Sequence, residues 1–397
     1  MAAELNALRD ELYARVRERG AATDPLVANA LRDVPRHLFL PDESPRTAYQ
    51  DAPVVTKRDA DGQPISSSSQ PTVMAVMLDQ LGLRPGHRVL EIGAGTGFNA
   101  ALMAYVCGAG GRVVSVDIDA DSVEKARDNL AAAGFGEVTV LVGDGALGHP
   151  AGAPYDRIIA TVGVWDLAPA WVEQLAPDGR IVVPLDLNGL QRSVCFEPVD
   201  GYLASRSASP CGFMRMRGSL PGPDQVLLLD KETLLTITLP TARDVDREAL
   251  RDALAETPTS RPTGVAATAV DLFDGLGLWL AVHEPRWLAV SEKDTPRARL
   301  RDAPLSRPEV TMTAGILDED GIALLAVTTE LTALGYGPAG DRVAAELAEH
   351  VRAWHAAGRP DTAALRIEAH QKDSTVTGDV VIEKVHTRLV LTWARSC

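Results

Sequence analysis

Residues 89–97 read Val89-Leu90-Glu91-Ile92-Gly93-Ala94-Gly95-Thr96-Gly97. An apolar strand runs into an acidic residue, then into three glycines at alternate positions, then into a helix-forming run. Such a turn lets backbone approach a bound ligand where a side chain would collide. A dinucleotide fingerprint places its third glycine one position later, and Phe98 stands there. The pattern therefore favours S-adenosylmethionine over a nicotinamide cofactor.

From His87 onward strands and helices alternate. Strands are expected near 87–92, 112–117, 137–142, 155–161 and 180–184, and helices near 97–106, 121–132 and 167–175. This is the signature of an α/β fold with a parallel sheet covered on both faces. Asp200-Gly201 is a hairpin turn between two further strands, 191–197 and 202–207. An antiparallel pair closing a parallel sheet points, by analogy of folds, to a class I (Rossmann-like) methyltransferase.

Upstream, Leu5, Leu8, Leu12 and Val16 recur at helical spacing before Gly20, and Asp24-Pro25 opens a second helix through Leu31. Residues 42–69 are polar and rich in Pro, Asp and Ser, which predicts a long functional loop. Ser69 or a neighbour is expected to cap a helix starting near Pro71. Gly218 to Pro223 marks a domain boundary, so residues 1–220 and 224–397 form the two expected domains. The second is α+β. Val226 to Leu239 is strand-like, and 257–264 and 294–309 are loops. A helix capped by Asp341 buries Val343, Leu347, Val351 and Trp354, and strands follow at 364–369 and 385–393.

Composition narrows the function classes. The chain has 397 residues, enough for two cores, and its net charge of −15 disfavours binding to a phosphate backbone. The short basic run Arg297–Arg301 reads as a solvated loop, so no nucleic-acid partner is expected. No apolar run approaches the ~20 residues that span a bilayer. Glu4, Arg9, Asp10 and Glu11 interrupt any signal-peptide core, so no membrane contact and a cytoplasmic location are expected. Cys107, Cys195, Cys211 and Cys397 lack paired spacing, which points to neither zinc nor disulfides. His350 and His355 read as ordinary residues of an amphipathic helix, and no metal site is expected.

The candidate cofactor residues sit on consecutive strand ends. Gly93, Gly95 and Gly97 form the turn, and Glu91 has a positioning role, ordering the turn or reaching the methionine amino group through water. Asp117, twenty residues after Gly97, ends the next strand, where a carboxylate accepts both ribose hydroxyls. Ile118 follows it beside the adenosine. Asp144, flanked by Gly143 and Gly145, is placed to accept the adenine amino group. Taken singly, Asp117 is equally a helix cap and Asp144 a turn residue. Their joint register is what points to adenosine.

Residues about 20–218 resemble a protein-L-isoaspartate O-methyltransferase. The resemblance is carried by Val34-Pro35-Arg36-His37-Leu38-Phe39, Ala48-Tyr49-Gln50-Asp51-Ala52-Pro53 and Gly62-Gln63-Pro64-Ile65. It continues through Ser69-Gln70-Pro71, the glycine turn, Gly143-Asp144-Gly145, Ala153-Pro154-Tyr155-Asp156 and 174–180. It implies transfer of a methyl group from S-adenosylmethionine to an aspartyl or isoaspartyl carboxylate. It also implies a serine beside that carboxylate. This chain has Ile65-Ser66-Ser67-Ser68-Ser69-Gln70-Pro71, three serines longer than the family's Ile-Ser-Gln-Pro segment. Either Ser66 or Ser69 aligns with the family serine, and Ser69 is preferred because Gln70-Pro71 ties it to the helix start.

The longer serine segment and the additional C-terminal domain are similar to actinobacterial members of the family associated with ribosomally made, modified peptides. There the acceptor is one Asp in a macrocyclic precursor peptide, and the ester closes to a succinimide that reopens to isoaspartate. Three alternatives stand beside this reading: repair of isoaspartyl-containing proteins, methylation of a small-molecule carboxylate, and a catalytically weak S-adenosylmethionine-binding scaffold.

Overall fold

The computed structural model describes residues 2–60, 62, 64–300, 302–307, 310–327 and 329–394. Gln63 of the family segment, Arg301 of the basic run and Cys397 lie outside the described residues. The expected parallel sheet forms from β3 (Arg88–Ile92), β4 (Arg112–Asp117), β5 (Thr139–Val142), β6 (Tyr155–Ala160) and β7 (Leu175–Leu187), in the order β7-β6-β3-β4-β5. The order reverses beside β3, so the glycine turn opens at a switch point, where the carboxyl ends of such strands leave a crevice. The antiparallel pair β8 (Leu190–Val199) and β9 (Tyr202–Pro210) turns at Asp200 and Gly201, which hold φ of 31° and 93°. Both are left-handed, the twist a two-residue hairpin requires.

Strand β3 is buried on both faces. On one side Leu90 and Ile92 join Ile158, Ile181 and Trp171. On the other, Val89 joins the helices Pro71–Leu81 and Phe98–Cys107 and the N-terminal pair Ala2–Glu18 and Pro25–Asp33. Asp24 caps the second N-terminal helix through the Leu26 amide, as expected from sequence. The helices Ala120–Ala132 and Pro169–Gln174 complete the two layers.

One expectation for the N-terminal half is corrected. Residues 42–69 are not one loop. They contain a short helix, Pro45–Ala48, and a hairpin of β1 (Val54–Arg58) and β2 (Pro64–Ser68), with Val54 opposite Ser68 and Val55 opposite Ser67. The serines pair because β1 supplies Val54, Val55 and Thr56, residues suited to a pleated surface. The following helix starts at Pro71 with a neighbour of Ser69 as its N-cap, as expected, but not with a side-chain cap. Its N-cap is Gln70 with no side-chain bond of its own, while Asp51 accepts from the Thr72 amide at 2.9 Å and from the Thr72 hydroxyl at 2.7 Å. A carboxylate distant in sequence satisfies the orphan amide.

Beyond Gly218 lies an antiparallel sheet of eight strands. They are β10 (Gln225–Asp230), β11 (Leu235–Leu239), β12 (Thr259–Pro262), β13 (Trp287–Lys293), β14 (Leu305–Arg307), β15 (Val310–Asp318), β16 (Gly321–Val327) and β17 (Leu331–Tyr336). Strands β12 and β14 thus stand within two segments expected as loops. The helix Gly340–Ala356 covers the sheet with Val343, Leu347, Val351 and Trp354 buried as expected. Its N-cap is Ala339, not Asp341, which sits in the first turn and pairs with Arg261 at 2.5 Å.

The last segment departs from the expected division at Gly218–Pro223. Strands β18 (Leu365–Gln371), β19 (Val380–Glu383) and β20 (Thr387–Trp393) return to the first sheet. Strand β18 pairs with β9 through Glu368–Ala204 and Ala369–Leu203, and the sheet reads β19-β20-β18-β9-β8-β7-β6-β3-β4-β5. Leu365, Ile367, Leu389 and Leu391 pack into the same core as Trp171 and Ile181. Covering the edge of β9 satisfies a row of backbone groups that would otherwise stand open. Shortening fully buried Ile367 to valine is therefore expected to cost about 1 kcal/mol and to lower the midpoint of the cofactor-binding unit by about 2 °C. A thermal melt with and without S-adenosylmethionine reads both. An unchanged ligand-sensitive transition would place β18 outside that unit.

Candidate active site

The glycine turn, the serine strand and the segment after β9 enclose one cavity of about 580 Å³. Gly93, Gly95 and Gly97 hold φ of 97°, 52° and 84°, where side chains are disfavoured. A Cβ on Gly95 would point toward the Ser67 carbonyl oxygen at 3.6 Å, so the serine strand lies directly over the turn. Of the residues expected from sequence, Ser66, Ser69, Glu91, Gly93, Gly95, Asp117, Ile118 and Gly145 line the cavity. Gly97 instead opens the helix Phe98–Cys107 as its N-cap.

Asp117 is not a helix cap. That role belongs to Asp119, which accepts from the amides of Asp121 and Ser122. Asp117 takes the Gly95 amide on one oxygen at 3.1 Å and the Asp119 amide on the other at 3.0 Å. Two backbone donors thus fix the carboxylate plane, and each oxygen keeps a lone pair. Ile118 beside it is 39% exposed, an apolar surface at the crevice.

Asp144 behaves differently. It caps the turn Gly145–Leu147 through the Ala146 amide, while its second oxygen takes the Ser219 amide at 2.9 Å. It does not line the cavity, whereas Gly145 does. The Gly145 carbonyl accepts from Trp171 Nε1 at 2.8 Å, which fixes this corner. Gly218 holds φ of 106° with an added Cβ only 2.7 Å from the Asp144 carboxylate, so the chain crosses close over Asp144. The same strap is pinned at Gly163, which donates to Met214 O and accepts from the Met216 amide.

Glu91 is fully buried. Asn99 Nδ2 donates to it at 2.8 Å and the Ser115 hydroxyl at 2.6 Å. Burial pushes its pKa up to about 7, against the opposing pull of those two donors. Asn99 Oδ1 is itself buried at the cavity with no hydrogen-bond partner among the described residues. An unpaired buried acceptor beside a carboxylate suits a cationic amine, which the methionyl end of S-adenosylmethionine carries. The residues present fit that donor.

On the serine side, the Ser66 hydroxyl accepts from Thr56 at 3.1 Å across the hairpin. Ser69 is held through its backbone. Its carbonyl accepts from Arg36 Nη2 at 3.0 Å, and Arg36 Nε donates to Ala48 O at 2.8 Å. Burial lowers the Arg36 pKa to about 10, which leaves it a cation at neutral pH. Its charge lies 4.9 Å from the centre of the Phe98 ring. Lys57 on β1 bonds Asp119 and Asp121, which ties the hairpin to the strand end after Asp117.

The sequence pointed to neither Asn99 nor Ser115, although Asn99 lies eight residues past Glu91, on the first turns of the next helix. Phe273 and Met312 also line the cavity, from beyond the expected domain boundary. No local signal marks either. Among the described residues no cluster of metal-ligating side chains is present and no helix is long and apolar enough to cross a membrane. Cys107, Cys195 and Cys211 are buried free thiols.

Residues 7–219 match the family described as protein-L-isoaspartate(D-aspartate) O-methyltransferase. The chain is 39% identical over 212 residues to the protein-L-isoaspartate O-methyltransferase of Methanopyrus kandleri, covering 53% of this chain and 91% of that one. It is 35% identical over 241 residues to the protein of the same name from Thermotoga maritima, covering 60% and 73%. A solved structure bearing that name superposes over 98% of this chain and 100% of its own, with a TM-score of 0.53 and 24% identity. That likeness extends the shared fold across both sheets.

Proposed function

Because this chain belongs to the protein-L-isoaspartate(D-aspartate) O-methyltransferase family, a family of S-adenosylmethionine-dependent carboxyl O-methyltransferases, we propose that its acceptor is one aspartyl side chain in a ribosomally made, macrocyclic peptide. A single observation carries the reading: the cavity that adjoins the lengthened serine strand is walled also by Phe273 and Met312, from outside the matched residues 7–219. An acceptor met by both sheets must present a defined shape, which is how a selective enzyme rejects other carboxylates.

When bound, S-adenosylmethionine supplies an electrophilic sulfonium methyl. On this proposal Asp117 holds the ribose hydroxyls, and Ile118 and Gly145 flank the base. Gly93 and Gly95 admit the methionyl portion, while Glu91 with Asn99 orders the turn and faces the amine. The acceptor carboxylate is ionised at neutral pH and needs no general base. The chain's task is alignment and the exclusion of water. Ser69, just past the end of β2, or Ser66 within it, donates to the carboxylate oxygen that does not attack. The product ester is a good electrophile. The next backbone nitrogen attacks its carbonyl and expels methanol, forming a succinimide that water opens to Asp or isoAsp.

Repair of isoaspartyl proteins is the second reading. It is favoured by the solved structure of that name, whose whole length shares the two-sheet fold. Incubation with S-adenosylmethionine and paired linear and lactam-bridged peptides, each with Asp or isoAsp, separates the two. Tailoring requires a gain of one methyl, then loss of methanol, on bridged Asp peptides. Turnover confined to linear isoAsp peptides establishes repair.

A further inference from the structure

Phe273 reaches the cavity from an irregular element. Residues Asp271–Leu276 form a π-helical turn ahead of the helix Gly277–His283. Such turns are rare and concentrate at functional sites because the extra residue displaces a side chain from the regular helical face. This one is anchored from the first sheet. Arg192, fully buried on β8, donates from Nη2 to the Phe273 carbonyl at 2.8 Å and from Nε to the Thr362 hydroxyl at 2.7 Å. Its guanidinium lies 5.6 Å from the centre of the Phe273 ring. A buried cation has therefore been committed to holding a turn whose phenyl ring lines the active-site cavity.

Met312 reaches the same cavity from β15. Strand alternation puts Val310 on its face, 38% exposed. Val270, one turn before Phe273, is 71% exposed. Each lining residue thus has an exposed apolar residue two or three positions before it in the chain.

We propose that Phe273 and Met312 form the specificity wall for an apolar side chain adjacent in sequence to the acceptor aspartate. This rests on the peptide-acceptor reading above. A phenyl ring and a thioether carry no hydrogen-bonding group to satisfy, so they gain by covering an apolar neighbour and lose by desolvating a polar one.

The test uses the full chain and peptides bridged by a Lys–Glu lactam. Each carries X-Asp-Gly or X-isoAsp-Gly, with X either leucine or serine. Wild type is expected to favour leucine by about tenfold in kcat/KM, the discrimination an apolar contact supplies. Phe273→Ala and Met312→Ala should each reduce that preference to about twofold by raising KM for the leucine peptide, with kcat and the S-adenosylmethionine Kd held within about twofold. Phe273→Leu should keep the preference. An unchanged preference in both alanine variants, or no preference in wild type, overturns the proposal while the peptide reading stands. A parallel loss of cofactor affinity in both variants assigns the residues to structure and also overturns it. Failure of wild type to methylate any of these peptides removes the peptide reading and the proposal together.

Discussion

Replacing Asp117 by alanine is expected to raise the Kd for S-adenosylmethionine about 100-fold, a loss of about 3 kcal/mol. The carboxylate stands at the end of β4 with its plane fixed by the amides of Gly95 and Asp119. Fixing by backbone means that little ordering cost remains when two ribose hydroxyls are taken up. Each hydrogen bond to a charged group is worth roughly 1.5–3 kcal/mol net of the exchange with water. Asp117→Asn keeps one acceptor oxygen and should fall between alanine and wild type. Titration calorimetry measures the three affinities directly. Equal affinities would mean that the ribose is held elsewhere, and the assignment of the crevice would fail with it.

The second large effect is expected at Glu91. Its folded pKa of about 7 stands above the ordinary value of 4.5 because burial disfavours the charged form. A raised folded pKa means that the group's contribution to stability is fully present below 4.5 and is lost as pH rises through 7. The loss amounts to about 3 kcal/mol in the unliganded protein. Glu91→Gln cannot ionise, and its amide can serve Asn99 and Ser115 in place of the carboxylate. Without cofactor the variant should therefore melt higher than wild type at pH 8, with the difference vanishing at pH 4.5. Cofactor affinity should move the opposite way at pH 8, because on the proposed binding mode the ionised carboxylate faces the cationic amine. That pair of outcomes would mean that stability is given up for binding, a recurring trade at sites of this kind. Parallel pH dependence in wild type and variant would show that Glu91 stays neutral throughout.

Much of this was legible in the chain. The short apolar stretches Val89-Leu90, Val113-Val114 and Ile158-Ile159-Ala160 place apolar residues on both faces of their strands, as a doubly covered parallel sheet requires, and the glycines after Glu91 admit a left-handed turn that few other residues tolerate. That Asp117 and Gly145 line the cavity followed from their places at strand ends. The serine segment was harder to read. Four serines carry no hydrophobic period, and three of them, Ser66–Ser68, lie in a strand through pairing with Lys57, Val55 and Val54 of β1. Asp144 has the right position by sequence, yet Ser219 and Ala146 occupy its oxygens, and a contact 75 residues away leaves no local trace.

The amino-acid sequence alone determined the order of strands and helices around the switch point, the glycine turn and the carboxylates that follow it, because those depend on local periodicity and on backbone freedom. Only the tertiary structure decided that residues 365–393 complete the first sheet and that Phe273 and Met312 join the cavity. Both outcomes depend on which edge remains unpaired and which buried cation needs acceptors. Those are properties of the assembled molecule: the edge of β9 takes β18, and Arg192 takes the Phe273 carbonyl.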